Sequence, residues 1–156
     1  DYKEVTEQQM ETWCHDFDSW DICDQCCNEV FIDTPYVLKK IYEWTVCDEE
    51  FVRRAGFAMM ACLAVHHKNA NDDIFLSFLP VIGSRSDDNR NFVRKAVNWA
   101  LRQIGKRNME LHANAVKLAN ELMNSPDKTA RWIGRDAYKE LTNEKIIDRI
   151  KNKKAK

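Results

Sequence analysis

Apolar residues recur every three or four positions through most of this chain, and short polar breaks separate the apolar stripes. That spacing is typical of helices that bury one face and expose the other. Only four Gly and three Pro residues interrupt the pattern, so the chain lacks the frequent turn signals of an all-β protein. The sequence therefore predicts an all-α protein of about eight or nine helices, each of roughly 10–18 residues.

Polar capping residues predict where these helices begin and end. Thr6 and Gln9 have the spacing of a capping box at the start of the first helix, and Ser19 precedes a second helix that we expect to reach about Phe31. The other boundaries follow the same logic. Thr34-Pro35 should precede a third helix, a fourth should run from Asp48 to about His67, and a fifth should begin at Asn71 and end before a loop at Gly83-Ser84-Arg85-Ser86. A helix over 89–107 and another to about Asn124 should follow. Ser125-Pro126-Asp127 should break the chain before the helix with Arg131-Trp132, and residues 151–156 should form a solvated basic tail.

A five-residue segment repeats along the chain. Phe51-Val52-Arg53-Arg54-Ala55 returns 41 residues later as Phe92-Val93-Arg94-Lys95-Ala96, and a fainter copy follows at Arg135 and Ala137. A period near 40 residues with two helices per unit is typical of HEAT repeats, in which each helix pair packs on its neighbours. The predicted fold is therefore a stack of HEAT-like repeats that forms an α-α superhelix, or solenoid. Its inner helices, beginning near Phe51, Phe92 and Arg131, should pack side by side in parallel.

Composition and charge narrow the classes of function. The 156 residues, 44% of them apolar, suffice for one domain with a core. The formal net charge is −1, from 24 basic and 25 acidic residues, so nucleic-acid binding would depend on charge gathered on one face. No segment has the roughly 18 consecutive apolar residues of a membrane span, and the first residues do not resemble a secretion signal. We therefore expect a cytoplasmic protein with no membrane partner and with reduced cysteines.

Four segments carry a resemblance to a known family: 17–27 (FDSWDICDQCC), 51–58 (FVRRAGFA), 95–108 (KAVNWALRQIGKRN) and 131–137 (RWIGRDA). They resemble the AlkD-like branch of the DNA alkylation repair family. The resemblance implies a concave, basic groove for duplex DNA, hydrolysis of the N-glycosidic bond of purines alkylated at N3 or N7, and no metal or organic cofactor. We expect residues 1–156 to form a single HEAT-like repeat domain that departs from the family's pattern by lacking its N-terminal helices.

Trp20 and Asp24 are the first candidate catalytic residues. Their spacing of four puts them on one face of a helix, one turn apart, and they match the family's Trp-x-x-x-Asp pair. An alkylated purine is already a cationic leaving group, so a carboxylate can catalyse by stabilising the cationic sugar that forms as the bond breaks. The aromatic faces of Trp20 and Trp99 can pack on the deoxyribose and attract that cation. The alternative for Asp24 is a solvated or salt-bridged surface acid.

Basic residues divide into structural and DNA-binding candidates. Arg53, Arg94 and Arg135 recur where HEAT repeats commonly carry an arginine that pairs neighbouring repeats. Arg54 is an additional charge that we expect at the active site, close to a DNA phosphate, and the alternative is an ordinary solvated arginine. On the helix over 89–107, a second stripe contains Lys95, Trp99, Arg102 and Lys106. The predicted DNA-binding residues are Arg54, Lys95, Arg102 and Lys106.

The preferred function is a monofunctional DNA glycosylase that uses water as its nucleophile, needs no cofactor and acts as a monomer. Its partner is double-stranded DNA that carries alkylated bases. The alternative is a non-catalytic HEAT-repeat module that binds DNA or a protein partner. A metal or redox role for Cys23, Cys26 and Cys27 is weakly supported, because no second Cys or His pair follows at zinc-ligand spacing.

Overall fold

The computed structural model describes residues 1–153, which form α-helices and two short 3₁₀ turns, and no β-strand occurs in this part of the chain. The prediction of an all-α protein is confirmed. No helix within these residues is long and apolar enough to cross a membrane. The helices are α1 (Glu7–His15), α2 (Trp20–Glu29), α3 (Val37–Trp44), α4 (Glu50–His66), α5 (Asp72–Ser84), α6 (Asn91–Gly105), α7 (Met109–Met123), α8 (Lys128–Leu141) and α9 (Glu144–Lys153), and the 3₁₀ turns are Tyr2–Glu4 and Phe31–Asp33.

Four helices form one row in the order α2, α4, α6, α8. The Phe51 and Phe92 rings lie 5.4 Å apart near the starts of α4 and α6, whereas Arg107, just after α6, donates to the Ala64 carbonyl near the end of α4 at 3.0 Å. α4 and α6 are therefore parallel, and α8 packs against α6 in turn. The three helices that the 41-residue repeat marks as equivalent thus pack side by side, as predicted.

A second row, α3, α5 and α7, packs on the first. The Tyr42 hydroxyl of α3 lies 2.6 Å from the Ser77 hydroxyl of α5, the Tyr42 ring packs on Phe78 at 5.9 Å, and α5 contacts α7. Consecutive helices therefore form the pairs α3–α4, α5–α6 and α7–α8, which fits an α-helical repeat fold. The core contains fully buried side chains of both rows, among them Ile41, Phe57, Phe75, Phe78, Ile82, Leu101 and Ile104.

Two arginines hold the ends of α4. Near the start of the helix, the buried Arg53 pairs with Asp88 of the α5–α6 loop at 2.8 Å and donates to the Cys47 carbonyl at 2.8 Å. Beyond its end, Arg107 donates to main-chain carbonyls that the helix and the following turn leave without helical partners. These carbonyls belong to Ala64, His67, Lys68 and Ala70, at 2.9 to 3.0 Å.

The expected pairing between repeats is confirmed for Arg53 and differs at the two later copies. The Arg94 guanidinium lies 4.5 Å from the centre of the Trp132 ring on α8, so it contacts the next repeat through a cation–π interaction rather than an ion pair. Arg135 is exposed and makes no ion pair within residues 1–153. The prediction is wrong there, because no later copy of the repeat follows α8 in this part of the chain.

Local capping signals predict several helix ends correctly. The capping box forms, since the Gln9 N–H donates to the Thr6 hydroxyl at 3.1 Å and the Thr6 N–H donates to the Gln9 side chain at 2.9 Å. Asn71 caps α5 by accepting from the Asp73 N–H at 2.9 Å. Ser19 precedes α2 as expected, although its side chain makes no capping bond and the helix ends at Glu29.

Other predicted boundaries are wrong where a different local contact competes with the capping signal. Thr34 donates its hydroxyl to the Phe31 carbonyl at 2.8 Å within a 3₁₀ turn, so α3 begins only at Val37. The N-cap of α4 is Glu49, and Asp48 instead contacts Arg53 at 3.3 Å.

The expected loop and tail are also shorter than predicted. Gly83 and Ser84 belong to α5, which packs against α7 with Leu118 next to Gly83. Residues 151–153 end α9 rather than forming a free tail. The remainder of the predicted basic tail, residues 154–156, lies outside the described residues.

Candidate active site and nucleic-acid interface

A two-point ion pair joins α2 to α4. Asp24 and Arg54 each lie about one turn after the start of their helix. The Arg54 Nε and Nη2 donate to the two Asp24 carboxylate oxygens at 2.9 and 2.7 Å, and Nη1 donates to the Phe92 carbonyl of α6 at 2.6 Å. The Arg54 side chain is 8% exposed and that of Asp24 is 20% exposed. Three helices therefore meet at one ion pair, and its carboxylate keeps an edge open to solvent.

Buried thiols on α2 set the direction of this ion pair. Cys23 and Cys27 face α4, where their Sγ atoms lie 3.6 Å from the carbonyl oxygens of Phe51 and Ala55. These contacts fix the rotation of α2 about its axis, so that Asp24, which follows Cys23, is directed towards Arg54. Asp24 thus shares an interface with the core rather than standing free on the surface, which matches the salt-bridged alternative for this residue.

The same burial makes the thiols unsuited to metal or redox chemistry. Burial raises the pKa of Cys27, and the neighbouring Cys23 raises it further. The thiolate is the form that binds metals and attacks disulfides, so a protonated, buried Cys27 is inert. Within residues 1–153, no group of three His, Cys, Asp or Glu side chains is placed to hold a metal ion.

Trp20 is the exposed neighbour of the ion pair. It is the first residue of α2, and its side chain is 51% exposed. Because Asp24 lies four residues later, the indole and the carboxylate are on the same side of α2, one turn apart. An indole this open offers an aromatic face to a ligand. Trp20, Asp24 and Arg54 thus lie together at the junction of α2 and α4.

Trp99 lies further along α6. It is two turns beyond Phe92, whose carbonyl Arg54 contacts, and this spacing corresponds to about 10 Å along the helix axis. Its half-buried indole also packs against the hydrophobic core, whereas the sequence pattern suggests an aromatic away from the apolar centre.

The predicted basic stripe on α6 is partly neutralised by α8. Lys95 is exposed and makes no ion pair within residues 1–153. Arg102 donates to Asn98 at 2.7 Å and to Glu140 at 3.4 Å, and Lys106 lies 3.2 Å from the same Glu140 carboxylate. Only Lys95 among these three cations therefore offers its full charge to a phosphate without first leaving a partner.

The sequence analysis missed the stacked pair of Arg94 and Trp132. Trp132 is 36% exposed, and the Arg94 guanidinium covers its ring. This pair therefore presents a planar cation stacked on a partly exposed aromatic ring. The signal was present in the second copy of the repeat, because Arg94 occupies the position of the buried Arg53, and within residues 1–153 it has no acidic partner.

The comparison with known families decides what this scaffold belongs to. Residues 1–141 match the family described as DNA alkylation repair enzyme. The chain belongs to this family. No curated protein sequence matches it. Membership confirms the resemblance of the four sequence segments and indicates an enzyme of DNA alkylation repair with DNA as its substrate. α9, which begins at Glu144, lies beyond the part of the chain that matches the DNA alkylation repair enzymes.

Proposed function

We propose that this DNA alkylation repair enzyme is a glycosylase that hydrolyses the N-glycosidic bond of N3- or N7-alkylated purines in duplex DNA. The observation that carries the proposal is the Asp24 carboxylate, held at two points by Arg54 beside the exposed indole of Trp20. A fixed negative charge next to an open aromatic face is what a developing sugar cation needs.

The proposed reaction breaks the bond between C1′ and the purine nitrogen. The bonding electrons leave with the purine, whose positive charge they neutralise, and the sugar becomes an oxocarbenium ion. A water molecule then adds to C1′ and loses a proton, which leaves an abasic site. Asp24 stabilises the cation and orients or deprotonates that water. The cationic base is a good leaving group, so the protein has no need to protonate it.

Arg54 acts in this proposal as a positioning residue rather than as a phosphate contact. Two of its five N–H groups bind Asp24 and a third binds the Phe92 carbonyl. A carboxylate has about four acceptor sites, so the ion pair leaves the outer ones for water or substrate. The geometry of the pair fixes the carboxylate plane before the substrate arrives, which is the basis of electrostatic preorganisation.

DNA binding is proposed to involve Trp20 and Trp99 on the deoxyribose, and Lys95, Arg102 and Lys106 on phosphates. Such contacts make binding salt-sensitive and independent of sequence. Lys106→Ala should weaken binding equally on all sequences and flatten the dependence of log K on log salt by roughly one unit. An unchanged slope, with wild-type binding measured in parallel, would remove Lys106 from the contact set.

The decisive assay measures free 7-methylguanine and 3-methyladenine released from methylated duplex DNA. Asp24→Asn should lower the single-turnover excision rate on the order of 10²-fold or more. Asp21→Asn is the matched control, because Asp21 is an exposed carboxylate on the same helix that accepts from the neighbouring Ile22 N–H at 3.0 Å. Near-wild-type excision by a folded Asp24→Asn protein would defeat the catalytic role of this residue.

The neutralised stripe favours a second candidate, a non-catalytic repeat module that binds DNA or a protein. Glu140 already occupies Arg102 and Lys106, which lowers the positive charge available to DNA. This candidate predicts no base release by the wild-type protein on any methylated substrate, together with measurable binding to a partner. Base release that depends on Asp24 would exclude it.

A further inference from the structure

A cavity of about 690 Å³ lies where α9 meets the C-terminal ends of α4 and α6. Its volume falls in the range of about 300–1,000 Å³ that is usual for small-molecule sites. Among the described residues it is lined by a single acid, Asp72, against five basic side chains. These are Lys68, Lys106, Arg107, Arg149 and Lys153.

Only some of these basic side chains are paired with an acidic group or bound to main-chain carbonyls. Asp72 lies 3.9 Å from Arg107, and Arg107 is committed to the carbonyls at the end of α4. Lys106 pairs with Glu140 at 3.2 Å. Within residues 1–153, the one hydrogen-bond acceptor of the Lys153 side chain is neutral, the Lys106 carbonyl at 2.9 Å.

Two of the five cations are free of such commitments. Within residues 1–153, Lys68 and Arg149 make no ion pair and no side-chain hydrogen bond, and both are exposed. The helix ends at the cavity offset this charge only in part, because the C-terminal ends of α4, α6 and α9 are countered there by the N-terminal ends of α5 and α7. The cavity is therefore a positive site in a chain whose net charge is −1.

The cations also repel one another. Burial lowers the pKa of Lys153, and the charges of Lys68, Lys106 and Arg107 lower it further. A bound anion would remove this repulsion. The lining also contains apolar side chains, among them Val65, Ile146 and Ile150.

We propose that this cavity binds a phosphate-bearing ligand of nucleotide size, with its phosphates at Lys68, Arg149 and Lys153 and its uncharged part against the apolar side chains of the lining. The phosphate can belong to a free nucleotide or to the backbone of a nucleic acid. The cavity lies apart from the proposed catalytic residues, since Trp20, Asp24 and Arg54 do not line it, but it shares Lys106 with the proposed DNA contacts. Binding of a free nucleotide here is therefore independent of the glycosylase proposal. α9, which supplies Arg149 and Lys153, lies outside the residues matched to the family.

The test is calorimetric titration of the full chain at low salt with two probes. ADP represents the free nucleotide, and a short unmodified DNA duplex represents the backbone. The double variant Lys68→Glu, Arg149→Glu should weaken binding of at least one probe by roughly tenfold or more, because two attractive charges become repulsive. The matched control is the double variant Lys145→Glu, Lys151→Glu, which reverses two exposed charges on α9 that do not line the cavity, and it should weaken binding less than about twofold.

The two probes also distinguish the sources of phosphate. Loss of ADP binding with unchanged duplex binding identifies a free nucleotide as the ligand, whereas loss of duplex binding identifies the phosphodiester backbone. The proposal is overturned if neither probe binds, if the double variant at Lys68 and Arg149 binds both probes as tightly as the wild type, or if the control variant at Lys145 and Lys151 weakens binding as much. Far-UV circular dichroism checks folding, and the pair Lys68→Gln, Arg149→Gln replaces the charge reversals if those unfold the protein.

Discussion

Replacing Asp24 by Asn should lower stability as well as activity, and the ion pair with Arg54 determines by how much. The substitution leaves a guanidinium that is 8% exposed with only the Phe92 carbonyl as a described partner. Breaking a fully buried pair costs about 3–5 kcal/mol. Asp24 is 20% exposed, so water can replace part of the lost contact, and we expect a loss of about 2 kcal/mol. In a domain of this size, that loss lowers Tm by roughly 4–8 °C.

A double-mutant cycle measures the interaction energy between Asp24 and Arg54 separately from the other contacts that each side chain makes. Asp24→Asn, Arg54→Met and the double variant are unfolded in urea and followed by far-UV circular dichroism. If the two-point contact exists in solution, the double variant should be more stable than the sum of the single losses predicts, with a coupling energy of about 1–2 kcal/mol. A coupling energy below about 0.5 kcal/mol would refute the ion pair as the element that positions the carboxylate.

The cycle has a kinetic counterpart that a purely structural pair would not produce. Excision is measured in single turnover at a temperature at which all three variants are folded. Arg54→Met keeps the carboxylate and loses its orientation, so it should slow excision less than Asp24→Asn does. Equal decreases in the excision rate of Asp24→Asn and Arg54→Met would mean that catalysis requires the intact ion pair rather than the carboxylate by itself.

Three further predictions concern stability and charge. Burial alone would raise the pKa of Asp88, but hydrogen bonds from arginines lower it to about 2. The ionised Asp88 carboxylate should therefore contribute about 2 kcal/mol to the free energy of unfolding above pH ~4, and this contribution should be lost as the pH falls towards 2. Asp88→Asn should remove this acid dependence of urea unfolding. Gly134→Ala should destabilise the protein by about 1–3 kcal/mol in thermal unfolding, because the new Cβ would lie 2.6 Å from a main-chain oxygen of α7. Gly83→Ala, whose Cβ meets only a side chain at 3.5 Å, is the control and should not destabilise. Glu140→Gln should free Arg102 and Lys106 and tighten duplex binding about two- to fivefold at low salt, measured by fluorescence anisotropy; unchanged affinity would exclude both cations from the interface.

The side-by-side packing of the inner helices could be predicted from the 41-residue repeat, because a repeated segment indicates helices that pack in equivalent ways as well as local helix propensity. Phe51 and Phe92 mark equivalent turns of α4 and α6, and their rings do meet. Capping at Thr6 and Asn71 was equally predictable, since the partners lie within three residues. These features share a signal that is short in sequence or repeated along the chain.

Features that depend on unrelated segments were not predictable from one sequence. Asp24 and Arg54 lie 30 residues apart and outside the 41-residue period, so no spacing rule links them. Competition between two local signals was equally hard to predict, since Thr34 carries a valid capping signal and its hydroxyl instead donates to the Phe31 carbonyl in a 3₁₀ turn. The neutralisation of Lys106 by Glu140 requires knowledge of how α8 packs on α6. The composition gives the net charge, but it does not show which charged side chains form ion pairs in the fold.

The two clamps on α4 restrict how this protein can change in length during evolution. Asp88 lies before α6 and Arg107 follows it, so α6 acts as the spacer between the partners of the two ends of α4. One residue inserted into α6 would rotate everything after it by about 100° and advance it by about 1.5 Å. Arg107 would then point away from the carbonyls that it binds at the end of α4. Insertions and deletions should therefore accumulate in the loops that leave α4 and α6 unaltered, and a change in the length of either inner helix should survive only with a matching change in the other.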